Sequence, residues 1–241
     1  MVKSDWRSFG ISVRGPGHVR TGLPNQDAFR IVKRKWGDVV VVSDGVGSCP
    51  TSDRGSFAAC LAVIRSACQW TKTLSEPDEL LKSIHQNWIK RLGVFSSRES
   101  AATCLFAFRP IAGRMILGML GDGLIAVLKS DGSYAELSDD KVECFSNQTA
   151  ALSENVPVGR WRTMAIEQDE CDAVFLCTDG IADDLLPERH EEFVRWIFDN
   201  AQPLSKSALK CEMRKMLAQW PTPKHSDDKT LAALFRRKGV S

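Results

Sequence analysis

Three apolar runs in this chain each end in a small residue followed by Asp-Gly, and this repeated pattern restricts the fold more than any other feature of the sequence. Apolar runs of this length are typical of strands buried in a sheet. Each Asp would therefore lie where a buried strand leaves its sheet, and each Gly would let the backbone turn sharply and leave its carbonyl open to approach. The three pairs are Asp44 and Gly45, Asp122 and Gly123, and Asp179 and Gly180.

Carboxylates at the ends of buried strands require a positive partner, because burial removes their hydration. A single Asp-Gly pair would indicate only a turn, since this dipeptide is common in turns. Three such pairs on buried strands instead indicate acids that share a cation. Two further acids, Asp27 and Asp227, precede predicted strands near the two ends of the chain. Hard oxygen ligands of this kind select magnesium or manganese.

The order of the predicted elements indicates an α+β fold in which sheets are flanked by helices. Strands form two groups, and pairs of helices lie between and after them. Residues 140–162 have weak periodicity and are expected to form a loop or flap, and the Ser130-Asp-Gly turn predicts a hairpin. The predicted strands are 8–13, 28–33, 38–43, 102–108, 114–120, 124–129, 133–137, 173–177 and 230–236. The predicted helices are 56–73, 77–92, 188–200 and 205–220.

Length, charge and cysteine content exclude several classes of protein. The 241 residues suit one domain, 1–241, better than two small ones. A net charge of +2 gives no reason to expect a nucleic-acid or membrane partner. The eight cysteines contain no C-x-x-C pair, and we interpret them as reduced core thiols. Together with an N-terminus that lacks a signal peptide, they predict a cytoplasmic protein.

The motifs, taken in order, resemble those of the type-2C, metal-dependent serine/threonine protein phosphatases, in their compact bacterial-style branch. Each motif is weak alone, but the ordered set is specific and extends from about residue 10 to 235. The motifs are 17–28 (GHVRTGLPNQDA), 42–47 (VSDGVG), 101–103 (AAT), 121–123 (GDG), 177–181 (CTDGI) and 227–230 (DDKT). The last is similar to the family's closing Asp-Asn-x-Thr.

The resemblance implies a four-layer α/β/β/α sandwich, in which two antiparallel sheets pack together and hold two Mn²⁺ or Mg²⁺ ions between them. Asp44 would bridge the two ions, and the Gly45 carbonyl would bind one of them. Asp179 and Asp227 would bind the other, which makes Asp44, Asp179 and Asp227 the expected catalytic residues. Asp27 would act directly or through water. Asp122 matches the position that, with Asp179, holds a weaker third ion.

Three positions depart from the family pattern. Gln26 replaces a common Glu and could bind only as a neutral ligand. Gly22 stands where a phosphate-binding Arg is often found, so Arg20 or His18 is expected to reach the phosphate instead. Val46 replaces a His that some members carry after their Asp-Gly.

The function implied by the resemblance is hydrolysis of phosphoserine and phosphothreonine on proteins by a metal-activated water. The substrate would be a phosphorylated protein, and a serine/threonine kinase would be the functional counterpart. The three departures leave one alternative open, a phosphatase fold that has lost turnover and binds a phosphoprotein or regulates a kinase. A small-molecule phosphohydrolase is a further alternative, although the chain lacks a Gly-rich phosphate loop.

Overall fold

The structure, a computed structural model, describes residues 6–73, 76–138, 150–221 and 226–237. None of the helices in these ranges is both long enough and apolar enough to cross a membrane. The strands are β1 (Trp6–Val13), β2 (Ala28–Arg34), β3 (Gly37–Ser43), β4 (Cys104–Pro110), β5 (Met115–Leu120), β6 (Leu124–Lys129), β7 (Tyr134–Ser138), β8 (Arg162–Ile166), β9 (Cys171–Cys177) and β10 (Lys229–Arg236). The helices are α1 (Pro16–Thr21), α2 (Ser52–Thr73), α3 (Pro77–Leu92), α4 (Asp179–Ala182), α5 (His190–Ala201) and α6 (Lys206–Ala218).

The strands form two five-stranded antiparallel sheets. One sheet has the order β1-β10-β9-β6-β7, and the other has the order β2-β3-β4-β5-β8. The predicted hairpin at residues 130–132 is confirmed, because β6 and β7 pair antiparallel across it. The N-terminal and C-terminal strands, β1 and β10, pair along their whole length, which joins the two ends of the chain.

Three apolar layers hold these sheets and helices together, and side chains that alternate along the strands supply them. In β3, Val40 and Val42 pack between the two sheets, whereas Val39 and Val41 pack under α2 and α3. This period of two is what a strand buried on both faces requires. A third layer packs the first sheet against α5 and α6. The result is the expected four-layer α/β/β/α sandwich.

Three short elements, α1, α4 and β8, were not predicted from the sequence, and each lacks a strong apolar pattern. Helix α1 has no buried residue, and α4 is only one turn long. Strand β8 lies at a sheet edge and buries only Ile166. The expectation of a loop over 140–162 was therefore wrong at its end, where β8 begins at Arg162. Residues 150–161 are irregular apart from a β-bridge between Leu152 and Ala102 and the short 3₁₀ helix Val158–Arg160, and 140–149 lie outside the described residues.

The cysteines match the prediction of reduced core thiols only in part. Within the described ranges seven cysteines are free thiols, and four of these, Cys60, Cys104, Cys171 and Cys177, are buried. Cys211, however, is exposed on α6. Burial raises the pKa of the Cys60 and Cys171 thiols to about 12, so neither is a reactive thiolate.

A three-residue connection joins the two sheets and sets one end of the sandwich. Gly121 to Gly123 carries the chain from the end of β5 in one sheet to the start of β6 in the other. Gly121 and Gly123 have φ angles of 101° and 115°, which side chains other than glycine rarely adopt. A Cβ on Gly123 would also lie 2.6 Å from the Cys177 carbonyl oxygen. The crossing therefore depends on these two glycines.

Candidate metal centre

Five acids lie at the end of the sandwich where the chain crosses between the sheets. In one sheet, the start of β2, the end of β3, the start of β4 and the end of β5 are paired neighbours. In the other sheet, the end of β9 pairs with the starts of β6 and β10. Each acid lies within two residues of one of these strand ends. The acids are Asp27, Asp44, Asp122, Asp179 and Asp227.

The backbone of Asp44 is held by Thr103, at the start of the neighbouring strand. The Asp44 backbone N–H donates to Thr103 Oγ1 at 2.9 Å, and the Thr103 backbone N–H donates to the Asp44 carbonyl at 2.8 Å. Ser43 Oγ donates to the Thr103 carbonyl at 2.5 Å. Thr103 is 1% exposed. This buried Thr therefore fixes the point at which β3 ends and its acid leaves the sheet.

Asp27 links the two sheets and has one oxygen without a partner. Thr178, at the end of β9, donates a hydrogen bond from Oγ1 to Asp27 Oδ2 at 2.8 Å. Asp27 Oδ1 is buried and has no hydrogen-bond partner among the described residues. Burial raises the pKa of Asp27 to about 6, although hydrogen bonds to its carboxylate oppose this rise. An unpartnered buried oxygen of this kind is costly unless a cation or a proton meets it.

The other acids raise one another's pKa values. Burial and then the charges of Asp27, Asp179 and Asp227 hold the pKa of Asp44 well above its ordinary value. Burial and then the charges of Asp122 and Asp227 raise the pKa of Asp179 to about 8. Like charges that lie close together in a site of low polarity produce this pattern. The five acids thus form one electrostatic cluster, which would bind a divalent cation in place of several protons.

The glycines of the first and third Asp-Gly pairs do not have positive φ angles. Glycine is required at these positions because neighbouring backbone packs closely against them. A Cβ on Gly45 would lie 2.7 Å from the Ser52 carbonyl group, at the start of α2. A Cβ on Gly180 would lie 1.9 Å from the Asp228 carbonyl oxygen. Glycine therefore lets α2 approach the Asp44 loop and lets α4 approach the loop that carries Asp227.

The two residues expected to bind phosphate both lie on α1, but only His18 contacts the acidic end of the sandwich. His18 Nδ1 lies 2.8 Å from Asp228 Oδ2. A ring nitrogen of His18 and carboxylate oxygens of Asp227 and Asp228 all lie within 4.8 Å of one another. Arg20 is exposed, and no hydrogen bond or ion pair joins it to the acids among the described residues.

Asp228 is a prominent residue of this site that the sequence did not single out. It is 1% exposed and accepts hydrogen bonds from the backbone N–H groups of Gly15 and Gln26 as well as from His18. The only signal in the sequence is that Asp228 follows Asp227 and stands where the resembled motif has Asn. Nothing in that dipeptide indicates which of the two acids is turned inward.

The donor chemistry of the five acids suits a hard divalent cation, and among the described residues His18, Asp227 and Asp228 are the group whose ligand atoms all lie within 4.8 Å of one another. The cluster supplies carboxylate oxygens from five separate segments, and one of these oxygens, Asp27 Oδ1, is buried without a partner. Mg²⁺ and Mn²⁺ prefer such oxygen ligands. The raised pKa values of Asp44 and Asp179 show that the fold holds these acids in place at an electrostatic cost that a bound cation would remove.

The sequence model of the protein phosphatase 2C family matches residues 14–218. The chain therefore belongs to the protein phosphatase 2C family, whose members are metal-dependent serine/threonine phosphatases. This result confirms the resemblance drawn from the motifs. Asp227 and Asp228 lie beyond the matched residues. A comparison with curated protein sequences found no match.

Several solved structures, phosphatases among them, share this fold over nearly their whole length. A bacterial serine phosphatase has 13% identity and a TM-score of 0.66, with 98% of this chain and 99% of that chain covered. Serine/threonine phosphatase Stp1 from Staphylococcus aureus has 12% identity and a TM-score of 0.64, with 96% and 95% covered. RsbX in complex with magnesium has 13% identity and a TM-score of 0.62, with 96% and 95% covered. At these identities the similarity shows the fold alone.

Proposed function

We propose that this chain is a single catalytic domain, 1–241, that hydrolyses phosphoserine and phosphothreonine esters of proteins. The observation that carries the proposal is the cluster of five acids at the end of the sandwich, with Asp27 Oδ1 buried and unpartnered. Membership of the protein phosphatase 2C family supports the reaction class. The magnesium complex of the RsbX structure supports Mg²⁺ or Mn²⁺ as the cofactor.

The acids would hold two divalent ions, and Asp44 would serve both. The Gly45 carbonyl would help to hold one ion, and Asp179 and Asp227 would hold the other. Asp27 would act directly or through water. Asp122, whose charge acts on Asp179, would assist at a weaker third position. When bound, the ions would supply Lewis-acid activation of water and neutralise phosphoryl charge. His18 lies beside Asp227 and would contact the phosphate. Arg20, which is exposed, would reach the phosphate only from the solvent side.

Hydrolysis of p-nitrophenyl phosphate and of phosphoserine and phosphothreonine peptides, with and without Mn²⁺ or Mg²⁺, tests this function. Asp44→Ala should reduce metal-dependent turnover at least about 100-fold, because the acid between the two proposed ions is lost. Asp131→Asn, in an exposed turn far from the acids in the fold, is the matched control and should keep full activity. If the wild-type chain hydrolyses none of these substrates with any metal, the proposed enzyme activity is wrong.

The substrates and partners follow from the same proposal. A phosphorylated protein is the proposed substrate, and a serine/threonine kinase that modifies the same protein would be its counterpart. A structural neighbour that belongs to the bacterial stressosome supports a regulatory setting of this kind. The peptide assay decides this point as well, since preference for nucleotides or sugar phosphates over phosphopeptides would instead indicate a small-molecule phosphohydrolase.

A further inference from the structure

Both carboxylate oxygens of Asp228 are engaged by contacts within the protein. Oδ1 accepts a hydrogen bond from the Gly15 backbone N–H at 2.6 Å. Oδ2 accepts one from the Gln26 backbone N–H at 2.6 Å and faces His18 Nδ1 at 2.8 Å. The residue is 1% exposed. Three short, charge-assisted hydrogen bonds offset the desolvation of this buried charge.

These contacts close the segment 15–26 at both ends. Gly15 begins the segment that leads into α1, and Gln26 ends it directly before Asp27. The first turn also packs on the loop before β10, because the Gly17 backbone N–H donates to the Ser226 carbonyl at 2.8 Å. A single side chain, directly before β10, therefore ties down the segment that carries both residues expected to bind phosphate.

An amide could not replace this carboxylate without loss. Oδ1 and Oδ2 of Asp228 each accept from a backbone N–H, whereas an Asn has one acceptor oxygen and one NH₂ group that only donates. With Asn at 228, either Gly15 or Gln26 would point its N–H at another donor. The resembled family motif has Asn here, so this chain departs from that motif at Asp228.

The carboxylate also determines how the His18 ring is presented. Because a carboxylate oxygen only accepts, His18 Nδ1 at 2.8 Å from Asp228 Oδ2 carries a proton, and Nε2 is left for other contacts. The His18 side chain is 17% exposed, which leaves it accessible from solvent. Its ring lies beside Asp227, one of the acids proposed to hold a metal ion.

We propose that Asp228 is a positioning residue for substrate binding. Its carboxylate closes the segment 15–26 against the loop before β10 and holds His18 beside Asp227 with Nδ1 protonated and Nε2 turned to the bound phosphate ester. Asp228 itself does not contact the substrate, because it is buried and its carboxylate carries the same sign of charge as a phosphate ester. This role rests on the proposed phosphatase function, which supplies the phosphate that His18 would contact.

Side-chain ¹H–¹⁵N spectra of the metal-free wild-type protein test the orientation of His18 directly. We expect a protonated Nδ1 for His18, with its proton shifted downfield by the carboxylate, and we expect this signal to disappear in Asp228→Asn. The control variant Asp131→Asn should keep the signal, because Asp131 lies in the exposed turn between β6 and β7 and accepts from the Ser133 N–H there. A wild-type His18 protonated at Nε2 instead would overturn the proposal, whether or not Asp228→Asn folds.

A double-mutant cycle with the manganese-loaded protein tests the functional part of the proposal. Asp228→Asn should raise the KM for p-nitrophenyl phosphate and the inhibition constant of inorganic phosphate about tenfold, with a smaller change in kcat. In a His18→Ala background the same change should have an effect of about threefold or less, because Asp228 then has no ring to position. Effects that multiply independently in the two backgrounds would contradict the positioning role.

The two proposals fail in different ways. A wild-type protein without hydrolytic activity would contradict the proposed function, while the tautomer of His18 and the binding of inorganic phosphate would still decide the role of Asp228. An active wild-type protein in which Asp228→Asn changes neither phosphate binding nor the His18 spectrum would overturn this inference alone. Thermal melts of each variant identify a change that is caused only by unfolding.

Discussion

Replacing Asp179 with Asn should stabilise the metal-free protein while weakening its affinity for metal. Burial and the charges of Asp122 and Asp227 raise the pKa of Asp179 to about 8 in the folded protein, compared with 3.8 for an ordinary Asp. Between these pH values the folded protein binds more protons than the unfolded chain, so stability falls as the pH rises from about 4 to 8. Asn carries no such penalty.

The size of the effect follows from the same shift. One pKa unit corresponds to about 1.4 kcal/mol, so an acid raised from 3.8 to about 8 destabilises the metal-free fold by at most about 4 kcal/mol at pH 7. Asp27 and Asp44 also take up protons, and this reduces the repulsion that destabilises the ionised form of Asp179. We therefore expect a gain of about 2 kcal/mol at pH 7, or a rise of about 5 °C in Tm for a chain of this size.

Thermal and urea unfolding in EDTA, at pH 5 and at pH 8, measures this gain. Asn at 179 can still accept the hydrogen bond from the Gly180 N–H that Asp179 Oδ1 accepts at 2.7 Å, so the start of α4 is preserved. The gain should be large at pH 8 and small at pH 5. Calorimetric titration with Mn²⁺ should show weaker binding in the variant.

Asp131→Asn is the control for the pH dependence of Asp179→Asn. The backbone N–H of Ser133 lowers the pKa of exposed Asp131, so Asp131→Asn should not stabilise the protein as the pH rises. Asp179→Asn with no gain in stability at pH 8, or with an equal gain at both pH values, would refute the repulsion among the acids. Unchanged Mn²⁺ affinity would refute Asp179 as a ligand.

Two further predictions concern stability away from the candidate metal centre. Arg109→Met should destabilise the protein by about 3–5 kcal/mol in urea unfolding, because it leaves buried Asp38 without the guanidinium that lies 2.7 Å away; a loss below about 1 kcal/mol would contradict this. Phe106→Ala should cost about 3–5 kcal/mol in the same assay, since Phe106 is fully buried between β4 and the helices; the conservative Phe106→Leu should cost clearly less.

The strands with strong apolar runs were predicted from the sequence. Elements that are held by distant contacts, and not by an apolar face of their own, were not predicted. Strand β3 is buried on every residue, so its β-branched run had only one reasonable interpretation. Helix α1, by contrast, buries none of its residues and is held by contacts with Ser226 and Asp228 at the far end of the chain. No local periodicity could have indicated contacts of that separation.

The sequence predicted the acids of the candidate site, but it did not predict the residue that holds the neighbouring segment 15–26 in place. The Asp-Gly pairs mark strand ends, and the pairing of the strands brings those ends to one edge. Asp228 was not predicted, because its importance comes from backbone groups at Gly15 and Gln26, about 200 residues earlier in the chain. Only the folded chain shows that one carboxylate closes that segment.

Anomalous diffraction from a crystal grown with Mn²⁺ is the most direct test of the metal centre. Two strong anomalous peaks should appear at the end of the sandwich where the chain crosses between the sheets, with oxygens of Asp44, Asp179 and Asp227 as ligands. Peaks elsewhere, or fully loaded crystals with no manganese bound by these three acids, would contradict the proposed metal-dependent phosphatase.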